Sequence, residues 1–289
     1  MFKKLLKYDM MAVWRLWWIA VMIVPIAAVI GSAMLRFIIT ESENPIFFEN
    51  PISTLLFMGA MLVVFACIIA IVLSFILTMV LIYVRFYKNL YTDEGYLTFT
   101  LPVSRKQILL SKTLNAFIWY VLHGLLIAVA FFLFILFAVP PEGNELINTE
   151  LFKGIGELFS ELWKICGAWL ILIIVELVIF LLLSTLMGIT LFHLSITVGS
   201  VIAKKAKIFA SVGMYYVFNM AISMFMQVSI YLFVFLIEPG ISMIEITSDT
   251  ELLALLSLVF LVAIAFVGII TALLYNLTQH LLDRKLNLA

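Results

Sequence analysis

The chain has 289 residues, 65% of them hydrophobic and 12% charged, with 17 basic residues balancing 17 acidic ones and a mean hydropathy of +1.23. A water-soluble domain of this size has no core large enough to hide so much apolar side chain, and its surface needs roughly a quarter charged residues. Composition therefore excludes a soluble protein, and zero net charge with scattered basic residues leaves no footprint for nucleic acid.

Six runs meet the requirement of about 20 mostly apolar residues for a spanning helix: 16–39, 55–84, 113–139, 165–193, 208–237 and 253–278. None alternates in the period-two pattern of a lipid-facing strand, so helices must satisfy the backbone in lipid. The expectation is an all-α integral membrane protein with six transmembrane helices, forming one transmembrane domain over 1–289.

The first stretch, "MFKKLLKYDMMAVWRLWW", reads as an amphipathic segment leading into the first span. The apolar run behind it is longer than the roughly 7–15-residue core of a cleavable leader. Cys67 and Cys166 both fall within spans, which supports neither a disulfide framework nor a zinc cluster. In the second span Ala66, Ala70, Ser74 and Thr78 form a small-residue seam, for close helix packing or for contact with a second copy.

Between the second and third spans lies "FYKNLYTDEGYLTFTLPVSRKQILLSK", Phe86 to Lys112. The second helix runs out near Tyr91. Thr92 caps a short new helix, with Asp93 and Glu94 on its positive end. Pro102 biases Leu101 away from helix and ends the element. Ser104-x-x-Gln107 matches a capping box and starts the third helix. Tyr96, Leu97, Phe99 and Leu101 face outward, either into the lipid interface or into a pocket on a soluble partner.

Segment 140–164 opens with Pro140-Pro141 and continues into "ELFKGIGELFSELWK", whose Leu151, Phe152, Ile155, Leu158, Phe159 and Leu162 recur at helical spacing. A short surface helix is expected, covering the outer end of the bundle or gating a path. The fourth run holds Glu176 near its midplane, where a carboxyl is expensive unless paired or protonated. It is expected to face the bundle, protonated and hydrogen-bonded to Ser, Thr or Asn; the alternative is a proton carrier. The run continues weakly through "LSITVGSVIAKKAK" before Gly199 and the lysines end it. In the fifth span Tyr216, Asn219, Ser223 and Gln227 share a face with Met220 and Met224. That stripe lines a route for amphipathic cargo or bonds another helix.

His123, His193 and His280 stand far apart with no carboxylate at ligand spacing, and read as bundle or interface hydrogen-bonders. No phosphate loop, HExxH or GxSxG is present, so the chain is not expected to be an enzyme. Charge fixes orientation. Fourteen of the 17 Lys and Arg lie in segments 1–15, 85–112 and 204–207 and in the C-terminal tail, while twelve of the 17 Asp and Glu lie in 40–54, 140–164 and 238–252. Both termini are therefore expected in the cytoplasm. Trp14, Trp17, Trp18, Tyr83, Tyr87, Trp119 and Tyr275 are read as an inner aromatic belt, with Trp163 and Trp169 at the outer edge.

Six spans around the run E-G-Y-L-x-F-T-L-P-V-S-x-x-x-I-L-x-S-K, Glu94 to Lys112, resemble ABC-2-type ABC transporter permease subunits, closest to the Firmicute type tied to peptide-antibiotic and drug efflux. The resemblance implies a type V exporter-like permease fold in the bacterial plasma membrane. It implies that Glu94, Gly95, Tyr96, Leu97, Phe99, Leu101 and Pro102 form a coupling element docking on a separate ATPase subunit. ATP and magnesium would sit on that partner, with no cofactor in this chain, and a second permease protomer would complete a homo- or heterodimer. One departure is that "EPGISMIEITSDTE" is too short for the re-entrant hairpin many such permeases carry between spans five and six. Two other readings stand beside this one: a proton-coupled secondary transporter using Glu176, and a non-transporting membrane sensor or scaffold.

Overall fold

The computed structural model describes residues 2–42, 50–140, 149–203, 205–241 and 249–284. Of the charged residues used to orient the chain, Glu43, Glu49, Glu142, Glu145, Lys204, Glu245 and Lys285 lie outside them. Every element among the described residues is a helix: α1 (Phe2–Ser42), α2 (Pro51–Tyr91), α3 (Asp93–Phe99), α4 (Arg105–Ala138), α5 (Thr149–Cys166), α6 (Ala168–Ile202), α7 (Lys207–Ile241) and α8 (Asp249–Arg284). Six of them, α1, α2, α4, α6, α7 and α8, are long and apolar enough to cross a membrane. The chain is an all-α, multi-pass membrane protein.

The helices outrun the hydropathy windows that announce them. At ~1.5 Å per residue, the 41 residues of α1 and of α2 reach about 60 Å, twice the ~30 Å of a hydrocarbon layer. The amphipathic start and the first span are one continuous helix that carries Pro25 inside it. At the fourth span the run 165–193 divides differently. α5 ends at Cys166, Gly167 adopts φ +54°, and α6 begins at Ala168 and continues to Ile202. Glycine alone enters that backbone region without strain, so the break sits there although the apolar sequence shows no interruption. α7 runs to Ile241 and α8 starts at Asp249, which shortens the last connection further; residues 242–248 lie outside the description.

The helices group into two compact units, one of residues 1–6, 83–117 and 162–289, the other of 7–82 and 118–161. In the second unit small residues allow α1 to approach its neighbours closely. A Cβ on Gly31 would lie 2.8 Å from the Phe134 ring and 3.2 Å from the Cys67 Cβ. Val24, Ala28 and Ala130 are buried together, flanked by Leu126 and Ile127. Trp17 and Trp119 pack at 4.4 Å between ring centroids and are both buried, as Tyr83 is in the first unit. These three rings therefore fill the protein interior and do not belong to an interfacial belt, whereas Trp14 and Trp18 stay half exposed as a belt requires. The α2 seam is also partly reassigned: Ser74 and Thr78 are buried, but Cys67 takes the inward place and Ala66 is exposed. The His123 ring lies 3.3 Å from both the Ser74 and the Thr78 hydroxyl, a bundle hydrogen-bonder as its sequence context suggests.

In the first unit α6 packs against α7 and α8 around Leu191, Leu194, Ile270 and Leu274. The inward face of α7 is Tyr215, Phe218, Ile222 and Met226. α6 and α7 approach closely where Gly199 faces Ser211; a Cβ on Gly199 would fall 2.4 Å from Ser211 backbone atoms.

Candidate functional site: the α2–α4 hairpin and its polar support

The segment between α2 and α4 is ordered by local chemistry. Thr92 has the extended backbone of a helix cap, φ −117° and ψ −171°, and precedes α3 as expected. Its hydroxyl does not cap α3, however. It donates backward to the Lys88 carbonyl at 2.6 Å, satisfying the free C-terminal end of α2. The Gly95 N–H bonds the Thr92 carbonyl at 2.8 Å and closes the turn. Asp93 and Glu94 occupy the first turn, where the helix dipole favours them. α3 ends at Phe99, short of Pro102. The Gln107 N–H then donates to Ser104 Oγ at 3.3 Å, one half of the expected capping box, and α4 begins.

The residues of the hairpin take different roles. Tyr96 and Leu97 are 67% and 68% exposed, and Glu94, Leu101 and Pro102 are exposed with them. Gly95 is buried, because a Cβ there would lie 2.7 Å from the Leu90 carbonyl oxygen; its bare backbone lets α3 fold onto the end of α2. Phe99 is half-buried, with the Arg105 guanidinium 5.2 Å from its ring centroid. Arg105 in turn donates to the carbonyls of Leu282 and Asp283, in the last turn of α8. Phe99 thus supports the hairpin from below, and the outward apolar tip is Tyr96, Leu97 and Leu101.

Beneath the tip runs a chain of polar side chains. With its amide nitrogen turned toward Glu94, Asn89 donates to Glu94 Oε2 at 2.9 Å and accepts from Lys112 Nζ at 2.8 Å. Lys112 is only 6% exposed, so this bridge brings the influence of an anion to a buried cation. The next residue, Thr113, lies with its hydroxyl 3.3 Å from His193 Nδ1, and the His193 ring stacks on Phe86 at 3.9 Å. Tyr91 donates its phenolic proton to Thr197 Oγ1 at 2.6 Å, because the Thr197 hydroxyl itself donates to the His193 carbonyl at 2.7 Å. Both stems of the hairpin are therefore tied to α6, and the start of α4 is tied to α8. A push on α3 has a connected, largely buried route into the spanning helices.

Two other predicted positions stand apart. Glu176 is buried at 5% exposure, and Ser257 on α8 donates to its Oε1 at 2.7 Å. Its Oε2 has no partner among the described residues. The stripe on α7 faces away from the packed side of that helix: Tyr216, Asn219, Ser223 and Gln227 are all exposed, with Met220 and Met224. The helical periodicity of α7 sets them about 100° around the helix from Phe218, Ile222 and Met226.

Sequence reasoning passed over Asn89, Tyr91, Lys112, Thr113 and Thr197 as supporting residues. One signal was present: His193 and Thr197 share a helix face one turn apart, inside a stretch otherwise apolar enough to span. Comparison of the chain with protein-family models, with curated proteins and with solved structures finds no match, so the site is read from its own chemistry.

Proposed function

We propose that this chain is the permease subunit of an ATP-driven exporter of the ABC-2 type, moving an amphipathic substrate such as a peptide antibiotic, a drug or a lipid-like molecule. The observation that carries the proposal is α3. A seven-residue helix between two spans presents Tyr96 and Leu97 to its surroundings while its base is locked by Gly95, Phe99, Arg105 and the Glu94–Asn89–Lys112 bridge. That is the form of a lever with an apolar tip, suited to a groove on a separate ATPase subunit that binds ATP and magnesium. An even number of spans puts both ends of the chain on one face of the membrane, and the basic residues there favour the cytoplasmic face of a bacterial cell. The exposed polar stripe of α7 is costly against lipid, and supports a second permease protomer covering it and sharing a substrate path.

The test is co-purification of the ABC ATPase subunit from native membranes. Leu97→Asp removes a burial worth ~1.5–3 kcal/mol and sets a charge in the groove, so the complex is expected to be lost while insertion of the permease is unchanged. An undiminished complex would sink the coupling role. Leu97 is the better probe than Phe99, whose ring also holds Arg105.

A second reading rests on Glu176, a buried carboxyl with one oxygen left unpartnered among the described residues. As a proton carrier it would make the chain a secondary transporter. Glu176→Gln keeps the shape and still accepts from Ser257, but releases no proton. Under the ATP-driven reading the Gln variant retains most transport, and an uncoupler leaves vesicle efflux intact while ATP is present. A dead Gln variant together with uncoupler-sensitive efflux selects the secondary transporter. A chain that moves no substrate in either assay is a sensor or scaffold.

A further inference from the structure

α5 is the one helix of 18 residues or more among the described residues that does not qualify as a span. Its side chains sort cleanly by angle. Leu151, Phe152, Ile155, Leu158, Phe159 and Leu162 fall on one side; Lys153, Glu157, Ser160, Glu161 and Lys164 fall on the other. Most of the apolar side is solvent-exposed. Phe152, Ile155, Leu158, Phe159 and Leu162 are all exposed, and Phe152 meets Phe132 only edge-on at 6.4 Å between centroids. The expected helix is therefore present.

What lies against it follows from where α5 ends. The Gly167 N–H bonds the Trp163 carbonyl at 2.8 Å and closes the last turn of α5. The next residue, Ala168, starts a span that reads Trp-Leu-Ile-Leu-Ile-Ile-Val before its first charge at Glu176. The hydrocarbon boundary must fall within about a turn of Gly167, since such a run has no other place to enter lipid. A helix joined there by a single residue begins at the level of the headgroups. Its apolar arc covers about a third of the circumference, wider than the narrow seam one partner helix would fill. Lipid fills such an arc without geometric demand. Its charges, Glu150, Lys153, Glu157, Glu161 and Lys164, mix both signs and include the Lys153–Glu150 ion pair, so attraction to anionic lipid is not the force.

We propose that α5 is a lipid-bound interfacial helix, lying along the membrane surface with Ile155, Leu158, Phe159 and Leu162 sunk at the headgroup–acyl boundary, and that Gly167 is the corner that turns the chain from that surface into α6. The proposal is independent of the transport reading. It predicts burial in purely zwitterionic lipid.

The experiment uses the full chain on a Cys67→Ala, Cys166→Ser background, one copy per phosphatidylcholine nanodisc, with single spin labels stepped from Phe152 to Lys164. Collision with dissolved oxygen is expected to peak at 155, 158, 159 and 162. Collision with a water-soluble nickel chelate is expected to peak at 153, 157, 160 and 164, in opposite phase. Every labelled position is exposed, so the labels leave the fold alone. High nickel collision on both sides would place the helix in water and overturn the proposal. Exclusion of both reagents from the apolar side would mean that protein covers it, and would overturn it equally. Gly167→Ala strains the corner, and is expected to raise nickel collision at 155 and 159 several-fold; an unchanged profile would refute the role of Gly167.

Discussion

Lys112 is a buried cation that Glu94 reaches through an amide, and that makes Asn89 an informative residue. Asn can donate to Glu94 and accept from Lys112 at once, which neither a carboxylate nor an aliphatic side chain can do. Asn89→Leu removes both bonds and leaves a desolvated ammonium short of one acceptor. A loss of ~1–3 kcal/mol is expected, read as a lower thermal midpoint in detergent, with weakened ATPase coupling if α3 works as a lever. Asn89→Asp keeps the acceptor for Lys112 but repels Glu94. Its loss should be smaller, and should shrink further when Asn89→Asp is combined with Glu94→Gln. Wild-type stability in Asn89→Leu would show that the bridge does not hold the hairpin. Nothing local in the sequence points to this arrangement, because Asn89, Glu94 and Lys112 come from three different helices and their pairing depends on how the helix ends meet. Glu176 was more legible, since a carboxyl within a span must find a partner; which hydroxyl it finds, Ser257, was not.

Among the elements, the α2–α3–α4 hairpin was readable almost to the residue, since turn and cap chemistry act over three or four positions. Two details went against expectation: the Thr92 hydroxyl is drawn to the closer open carbonyl of α2, and Phe99 turns inward under Arg105 instead of outward. The α5–α6 break was hidden because hydropathy is blind to φ, and Gly167 looks apolar like its neighbours. The contact of α6 with α7 lies between these cases. Gly199 was read as the end of a helix, but α6 passes through it to Ile202, and the glycine serves the approach of Ser211. Gly199→Ala places a methyl 2.4 Å from backbone that no rotamer change can move. The two helices must part, at ~1–3 kcal/mol for overpacking. Gly213, also helical, would have nothing within 4 Å of an added methyl, so Gly213→Ala should be neutral or slightly stabilising through helix propensity. Thermal unfolding of the pair in the same detergent decides the matter; equal midpoints would mean that the Gly199–Ser211 contact is not close in the folded protein.

For the whole molecule, hydropathy sufficed to number the spans, since a lipid solvent admits only helices of a minimum length. It could not define where they end, because helices continue past the hydrocarbon on their own backbone bonds and tertiary contacts. Orientation rests on charge alone, and the coupling role depends on it: α3 can meet an ATPase only from the cytoplasm. Ser104 and Lys205 lie at connections predicted to face inward, and Ser160 lies on the polar side of α5, predicted to face outward; all three are exposed. With single cysteines on a Cys67→Ala, Cys166→Ser background, a membrane-impermeant maleimide added to intact cells should label Ser160→Cys. Ser104→Cys and Lys205→Cys should label only after the cells are permeabilised. The converse pattern would invert the protein, put α3 outside the cell away from any nucleotide, and remove the ATP-driven reading at a stroke. Labelling of all three from outside would contradict the spans themselves, since 104 and 160 are separated by α4, a single crossing.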